Sequence, residues 1–168
     1  MSALPDGPSA AMRRPLDAAI PALRLPDGIS LRTWRASDAP AVHALLVQAY
    51  AQGGGRVDDY AAWVRSFTTD LEHDPECCFL AFHGERLAGA ALCWSSAFIK
   101  DLCVAAPYRR QGLGSALLSH TLQYFAAAGA RAVTLKVEAD NPSGADRLYE
   151  RMGFEPQPEC WVTRLESS

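Results

Sequence analysis

The segment that decides how the whole chain is interpreted is Val104-Ala-Ala-Pro-Tyr-Arg-Arg-Gln-Gly-Leu-Gly-Ser115. An apolar strand leads into it, a short loop carries Arg109 and Arg110, and Gly112 and Gly114 open a helix. Glycines at a helix start let a ligand approach the backbone without a Cβ in the way. The free amides of the first helical turn and the helix dipole then attract an anion. The pattern favours a site for a pyrophosphate or similar dianion; a helix that merely begins with glycines is the structural alternative.

Outward from this segment, strands and helices follow one another in a regular order. The predicted strands lie at 29–35, 78–83, 86–95, 98–104, 132–138 and 160–165. The predicted helices begin after Ser37 and after Asp58 and span 114–128 and 142–152. Hairpin-linked strands pair antiparallel, whereas a strand–helix–strand unit gives a right-handed parallel crossover. The order therefore predicts an α+β fold with a mixed central sheet, antiparallel in its N-terminal half, and helices on both faces.

Composition excludes several classes of protein. The chain has 168 residues, 49% of them hydrophobic and 21% charged, which fits one globular domain and not a disordered chain. A formal charge of -3 argues against a nucleic-acid partner, and no apolar run approaches the ~20 residues of a membrane span. The five cysteines include no C-x-x-C pair, so we expect no metal site and a reducing, cytoplasmic location.

The first 28 residues differ from the rest of the chain. They are rich in proline and alanine, and Asp17 and Pro21 interrupt any apolar stretch that would suit an export signal. We therefore predict an N-terminal extension at 1–28 and one domain at 29–168. The extension has too few large apolar residues to form its own core. Our expectation is a homodimer in which it packs across the subunits; a free tail or a contact within one chain is the alternative.

Two motifs resemble those of the GNAT superfamily of N-acetyltransferases. Arg109-Arg-Gln-Gly-Leu-Gly114 is similar to the R-x-x-G-x-G/A signature of that superfamily. Asn141-Pro-Ser-Gly-Ala-Asp-Arg-Leu-Tyr-Glu-Arg-Met-Gly-Phe154 resembles its second motif, N-x-x-A-x-x-L-Y-x-x-x-G-F. The order of elements from 29 to 165 also resembles the GNAT fold. No Walker loop and no dinucleotide-binding fingerprint is present, which disfavours other phosphate-binding folds.

The resemblance implies an acetyl-CoA site. The backbone of the signature loop would wrap the pyrophosphate, the preceding strand would offer backbone groups to the pantetheine arm, and the parallel strands would separate beyond Val104 and Val137. Asn141 would bond the pantetheine or cap the helix that follows. The residues expected to bind the cofactor are Leu102, Cys103, Val104, Arg109, Arg110, Gln111, Gly112, Leu113, Gly114, Ser115 and Asn141.

The resemblance also implies catalytic roles. Tyr149 would protonate the leaving thiolate, which a phenol with a pKa of roughly 10 can do at neutral pH; packing in the core is its alternative role. The base that takes the proton of the attacking amine is less defined: Asp101 and Glu138 are candidates, and surface or ion-paired roles or a chain of water molecules are the alternatives.

The acceptor site would come from the variable parts of the chain. Its candidate lining residues, each also suited to ordinary core packing, are Tyr50, Tyr60, Trp63, Trp94 and Phe98. Acidic residues cluster in the same region, which would suit a cationic amine. The sequence thus predicts an acetyl-CoA-dependent N-acetyltransferase that acts on a small-molecule or peptide amine. A non-catalytic acyl-CoA-binding or sensing module is the alternative.

Overall fold

The computed structural model describes residues 9–53, 55–138 and 145–157, which form a seven-stranded sheet with four α-helices. The strands are β1 Ser9–Pro15, β2 Ile29–Thr33, β3 Phe79–His83, β4 Arg86–Trp94, β5 Phe98–Val104, β6 Ala132–Glu138 and β7 Glu155–Pro156. The helices are α1 Ala39–Ala49, α2 Tyr60–Thr69, α3 Leu113–Ala127 and α4 Ala145–Arg151. None of the helices in this part of the chain is long and apolar enough to cross a membrane.

The sheet is mixed, with strand order β2-β3-β4-β5-β6-β1-β7. Its neighbouring strands pair antiparallel except β5 and β6, which are parallel and joined through α3. The predicted fold class is therefore confirmed. The crossover places the C-terminal ends of β5 and β6 at the same edge of the sheet, and the N-terminus of α3 follows directly after β5.

Helices cover both faces of the sheet because β3 and β4 bury side chains on both sides. On one face α1 and α2 close a core that includes Trp34, Leu46, Trp63, Phe67, Leu80, Leu92 and Cys103. On the other face α3 closes a core that includes Phe79, Ala81, Ala88, Ala91, Leu113 and Leu117. Leucines that are fully withdrawn from water contribute about 1.5–3 kcal/mol each, so the two layers fix the strands between them.

Two helices begin one or more residues later than predicted. The α2 helix is capped by Asp59, whose carboxylate accepts from the backbone amide of Ala62, and not by Asp58. A 3-10 turn, Ala36–Asp38, precedes α1, so Ser37 lies within that turn. Tyr60 is the first residue of α2 and is 41% exposed, so it does not pack in the core.

The N-terminal region holds a strand that the sequence analysis did not predict. All seven residues of β1 pair with β6, from Ser9 opposite Glu138 to Pro15 opposite Ala132. The compositional boundary at residue 28 therefore falls inside the folded unit, since β1 is an interior strand of the sheet. The strand predicted at 160–165 lies outside the described residues.

Candidate active site

A gap opens between the two parallel strands. The β5–β6 ladder consists of two partner pairs, Phe98 with Thr134 and Ile99 with Leu135. On the other side of β5, Leu92 faces Asp101 and Cys93 faces Ile99, so Lys100 is an extra residue in that ladder. Such a bulge bends its strand. The gap thus begins at Lys100, earlier than the predicted separation beyond Val104.

The open edge of β5 carries three of the predicted cofactor residues. Leu102, Cys103 and Val104 pair with β4 on one side, while no described strand pairs with them on the β6 side. A strand edge of this kind presents unpaired amide and carbonyl groups to an extended ligand. Cys103 is buried, and burial followed by the Asp101 charge raises the pKa of its thiol well above the usual range. The thiol is therefore neutral and non-nucleophilic.

The loop after β5 brings free amides to the end of that edge. Arg110 and Gly112 both have left-handed backbones, with φ of 62° and 83°. The first helical hydrogen bond at this end of α3 runs from the Ala116 amide to the Gly112 carbonyl. The amides of residues 113–115 consequently have no partner within the helix, as expected for a helix N-terminus. Free amides at the start of a 15-residue helix are able to bind an anion, and residues 109–115 are called the anion loop below for that predicted role.

The side chains of this loop leave the amides accessible. Arg109 donates from Nε to the carbonyl of Val104 at 3.0 Å, and Gln111 donates to the carbonyl of Pro107 at 3.3 Å. Arg110 is exposed. A Cβ built on Gly112 would meet no atom within 4 Å, so the space above it is open. Leu113 is buried in the core, so only its backbone is available to a ligand.

Gly114 faces the space between β5 and α4. A Cβ built on it would lie 3.7 Å from Val104 Cγ2 and 3.6 Å from Leu148 Cδ2. The next residue along α4, Tyr149, is 7% exposed and packs edge-on against Phe154, with ring centroids 5.5 Å apart. The helix with the predicted general acid therefore lines the same cleft as the anion loop.

The Tyr149 phenol is buried near ionisable groups. Burial raises its pKa well above the usual value, and the nearby Asp101 and Cys103 raise it further. Its hydroxyl makes no hydrogen bond to a residue in the described ranges. A phenol in this environment stays protonated at physiological pH, so its proton is present for a ligand, while the same raised pKa makes it a weaker acid than a free phenol.

Asp101 is the second predicted catalytic residue that the fold brings to this place. It is 8% exposed, and its two carboxylate oxygens accept hydrogen bonds from the Tyr50 hydroxyl at 2.7 Å and from Lys100 Nζ at 2.8 Å. Burial, followed by the Asp101 charge, also raises the pKa of Tyr50 far above the usual range. Tyr50 is therefore a donor to Asp101 at every physiological pH.

A cavity of about 170 Å³ adjoins this carboxylate. It lies between α1, α2 and β5 and is lined by Leu46, Tyr50, Arg56, Val57, Asp58, Trp63, Ser66, Phe67, Lys100 and Asp101. Of the predicted lining residues Tyr50 and Trp63 are present, whereas Tyr60, Trp94 and Phe98 are not among those that line it. Two cationic residues, Arg56 and Lys100, and two anionic residues, Asp58 and Asp101, line the cavity, so its lining carries no net charge.

The structure realises one alternative that the sequence left open, an ion-paired Asp101, and its partner is Lys100. In a regular strand it would point away from Asp101, but the bulge places its ammonium on the carboxylate and 5.7 Å from the centre of the Phe67 ring. A bulge has no distinctive residue type here, so no sequence signal marked it.

Two predicted site residues are not placed by the structure. The backbone of Glu138 ends β6, but its side chain is outside what the structure describes. Asn141 lies outside the described residues, and it precedes Ala145 by four residues where the N-x-x-A motif has three. Within the described ranges, no group of three or more His, Cys, Asp or Glu side chains is arranged to hold a metal ion.

Comparisons with known proteins agree with this geometry. Residues 32–154 match the family model described as Acetyltransferase (GNAT) family. The chain is 36% identical over 87 residues to N-alpha-acetyltransferase MAK3 of Arabidopsis thaliana, covering 48% of this chain and 45% of that protein. It is 33% identical over 151 residues to mycothiol acetyltransferase of Geodermatophilus obscurus, covering 80% of this chain and 47% of that protein.

A solved structure has the same architecture. The crystal structure of a GCN5-related N-acetyltransferase from Sphaerobacter thermophilus superposes with a TM-score of 0.75 at 28% identity, covering 89% of this chain and 48% of that one. The present chain thus spans about half the length of the relatives that it matches.

Proposed function

This chain belongs to the GNAT acetyltransferase family, and we propose that it is an acyltransferase that moves the acetyl group of acetyl-CoA to a primary amine by direct attack. The proposal rests on one observation, that three features lie together in one cleft. The anion-binding helix start lies at the end of the open β5 edge, and both Asp101 and Tyr149 lie beside that edge.

The cofactor part of the site follows from the backbone. The free amides of residues 113–115, with the helix dipole, hold the pyrophosphate of acetyl-CoA, and Arg110 adds a full positive charge. The pantetheine arm lies along the open edge formed by Leu102, Cys103 and Val104 and pairs with it as an added strand. This places the thioester between the two strands, where a backbone amide near Val104 donates to the developing oxyanion.

The acceptor enters through the cavity beside Asp101. Its neutral amine nitrogen attacks the thioester carbonyl carbon, and a new C–N bond forms. The proton released from nitrogen passes to Asp101, directly or through water; Glu138 is the second candidate to receive it. The C–S bond then breaks, and Tyr149 gives its proton to the departing thiolate. The products are an acetylated amine and free CoA.

The acceptor is a small molecule or a peptide amine. The names of the matched relatives include one of each: N-alpha-acetyltransferase MAK3 and mycothiol acetyltransferase. Apolar and aromatic walls, with Leu46, Val57, Trp63 and Phe67 among them, favour an amine attached to an apolar or aromatic group over a freely hydrated polyamine.

A panel of primary amines with acetyl-CoA tests the proposal, with free thiol release and acetylated product measured together. We expect thiol release that depends on a particular amine and yields one acetylated product. Binding of CoA without turnover on any amine would instead favour the non-catalytic module. Displacement of CoA by ATP at equal affinity would point to a general nucleotide-phosphate site.

A further inference from the structure

Arg14 is a buried cation whose partners are all backbone carbonyls. The residue is 4% exposed and lies on β1, which stands between β6 and the edge strand β7. Its Nε donates to the carbonyl of Met152 at 2.9 Å. Its two terminal nitrogens donate to the carbonyls of Pro15 at 2.7 Å, Ala18 at 3.2 Å and Ala19 at 3.0 Å. A buried guanidinium is costly unless its donors are satisfied, so this arrangement holds those segments together firmly.

The carbonyl of Met152 belongs to the end of α4. The last carbonyls of a helix have no partner within it, and a cation there also interacts favourably with the helix dipole. The chain leaves α4 through Gly153, at φ 95°. A Cβ on Gly153 would lie 2.8 Å from Arg14 Nε, so only glycine leaves room for the guanidinium. Arg14 therefore binds the Met152 carbonyl in addition to the local cap, in which the Gly153 amide donates to the Glu150 carbonyl and the Phe154 amide to that of Tyr149.

The same helix end holds Tyr149. The Tyr149 carbonyl accepts from the amides of Met152 at 3.1 Å and Phe154 at 3.0 Å. Met12, two residues before Arg14 on the same face of β1, lies in one core cluster with Tyr149, Met152 and Phe154. The β1 strand thus contacts the helix end through a polar group and an apolar one.

We propose that Arg14 is a positioning residue for Tyr149: by fixing the C-terminal end of α4, it sets where the phenol hydroxyl lies in the cleft. The N-terminal strand β1 then helps to position a residue of the transferase site, although it lies outside the region that matches the family model. This inference rests on the proposed function. A misplacement of about 1 Å in a reacting group lowers a rate by about 100-fold, which sets the scale of the effect.

A double-mutant cycle tests the inference. The variants are Arg14→Met, Tyr149→Phe and both together, with kcat and KM measured well below the unfolding temperature. Arg14→Met should lower kcat by about 10- to 100-fold and change the KM for acetyl-CoA little, because the anion loop is untouched. The double variant should be no slower than Tyr149→Phe alone, since Arg14 acts through that hydroxyl.

Arg13→Met is the matched control. Arg13 is half-buried, lies opposite Thr134 on the other face of β1, and makes no contact with α4 that the structure shows. Its loss removes the same charge from the same strand, and we expect wild-type kcat.

The outcomes separate the inference from the function on which it rests. If Tyr149→Phe slows the reaction and the losses multiply in the double variant, Arg14 is merely structural and the inference fails alone. A wild-type kcat in the Arg14→Met variant would likewise contradict the positioning role of Arg14 alone. Wild-type kcat in Tyr149→Phe overturns both the acid role and the inference. If Arg14→Met does not fold, the cycle is run with Arg14→Lys, which keeps a cation at the helix end and should give a smaller loss that again vanishes without the Tyr149 hydroxyl.

Discussion

The Tyr50 hydroxyl donates a 2.7 Å hydrogen bond to Asp101 Oδ1 and so ties the end of α1 to the strand with the open edge. Lys100 occupies the other carboxylate oxygen at 2.8 Å. The carboxylate is therefore oriented from both sides before any substrate arrives. A preorganised group of this kind costs little reorganisation when the reaction occurs.

Replacing Asp101 tests whether it receives the proton of the amine. Asp101→Asn keeps the shape and an oxygen that accepts from Tyr50, but the amide takes up no proton. We expect kcat/KM for the acceptor to fall by about 100- to 10,000-fold, the range of general base catalysis. Steady-state kinetics with saturating acetyl-CoA measure the change.

Lys100→Met is the control for the broken ion pair. It removes the same salt bridge and leaves the carboxylate, so its effect should be clearly smaller than that of Asp101→Asn. Equal losses in both variants would assign the effect to the ion pair. Wild-type activity in Asp101→Asn would transfer the role to Glu138 or to water.

Gly112→Ala tests the anion loop, with Gly129→Ala as its control. The two glycines lie at opposite ends of α3, have φ of 83° and 88°, and have no atom within 4 Å of a built Cβ. Each alanine variant should therefore lose about 1 kcal/mol of unfolding free energy through the same backbone strain. Only Gly112→Ala should weaken acetyl-CoA binding, because its methyl group enters the space where the pyrophosphate would lie. Titration calorimetry on both variants checks this, and equal affinities would remove the loop from the site.

Tyr149→Phe should separate catalysis from stability. The hydroxyl has no hydrogen-bond partner among the described residues, so its removal should leave the unfolding temperature nearly unchanged. We expect kcat to fall by about 10- to 1,000-fold if chemistry limits the rate. Because burial raises the pKa of the phenol, the acid form persists as pH rises, and Tyr149 should cause no loss of wild-type kcat below about pH 10. A variant with wild-type kcat at every pH would make Tyr149 a core residue alone.

The central part of the fold was predictable from the sequence because local and long-range signals agree there. β5 and β6 have the predicted bounds, 98–104 and 132–138, and α3 differs from its predicted bounds by one residue. In these elements the apolar residues alternate or recur with the helical period, and glycines mark the ends of the helix. The side chains that this pattern predicts to be buried lie in the core. The turn that leads from β5 into α3 was predictable for the same reason, since its glycines act locally; that this loop binds an anion stays a prediction.

The remaining parts depend on contacts that a sequence pattern does not carry. β1 reads Ser-Ala-Ala-Met-Arg-Arg-Pro, which lacks the β-branched residues typical of strands. Arg14 occupies a core-facing position because its donors are satisfied by the Met152 carbonyl, which is distant in sequence, and by three carbonyls within residues 15–19. The cavity likewise depends on how α1 and α2 pack against the bulge at Lys100. The alternation of apolar and polar residues along a strand does not predict that packing.

His73 should make the protein less stable in acid. Its Nδ1 is buried without a hydrogen-bond partner among the described residues, and its ring packs against Trp34 and Phe67. Burial lowers the pKa of His73 below the usual value, although Asp74 and Asp70 oppose the shift. The folded state therefore binds the proton less readily than the unfolded state does. Its contribution to stability is present above about pH 6.5 and is lost as the pH falls below that value.

His73→Leu checks this expectation. The unfolding free energy of each protein is measured at pH 7.5 and pH 5, and the two differences are compared, so any packing change common to both pH values cancels. We expect the variant to lose less stability in acid than the wild type. His120, whose pKa burial also lowers, titrates in both proteins and does not affect the comparison. If both proteins lost the same unfolding free energy between pH 7.5 and pH 5, His73 would not be the group that lowers stability in acid.

Deleting residues 1–26 should destabilise the domain. The deletion removes β1, which exposes the edge of β6, and takes Met12 and Arg14 out of the core. Leu16 and Ile20 pack against the core cluster of α3 and α4, and Leu25 packs against the cluster under α3. Loss of a single buried methionine alone costs about 2–5 kcal/mol, so the truncated protein should unfold well below the wild type or aggregate. Thermal unfolding and light scattering measure both effects.

Deleting residues 1–8 alone is the matched control, because it leaves β1 in place. We expect that protein to lose less stability than the deletion of residues 1–26, because it keeps the pairing of β1 with β6. Leu16, Ile20 and Leu25 pack against the core clusters of their own chain. Light scattering of the full chain at micromolar concentration then tests the homodimer separately. A dimer that becomes a stable, folded monomer when residues 1–26 are removed would show that the extension packs across subunits, and would contradict its role as an interior strand of its own domain.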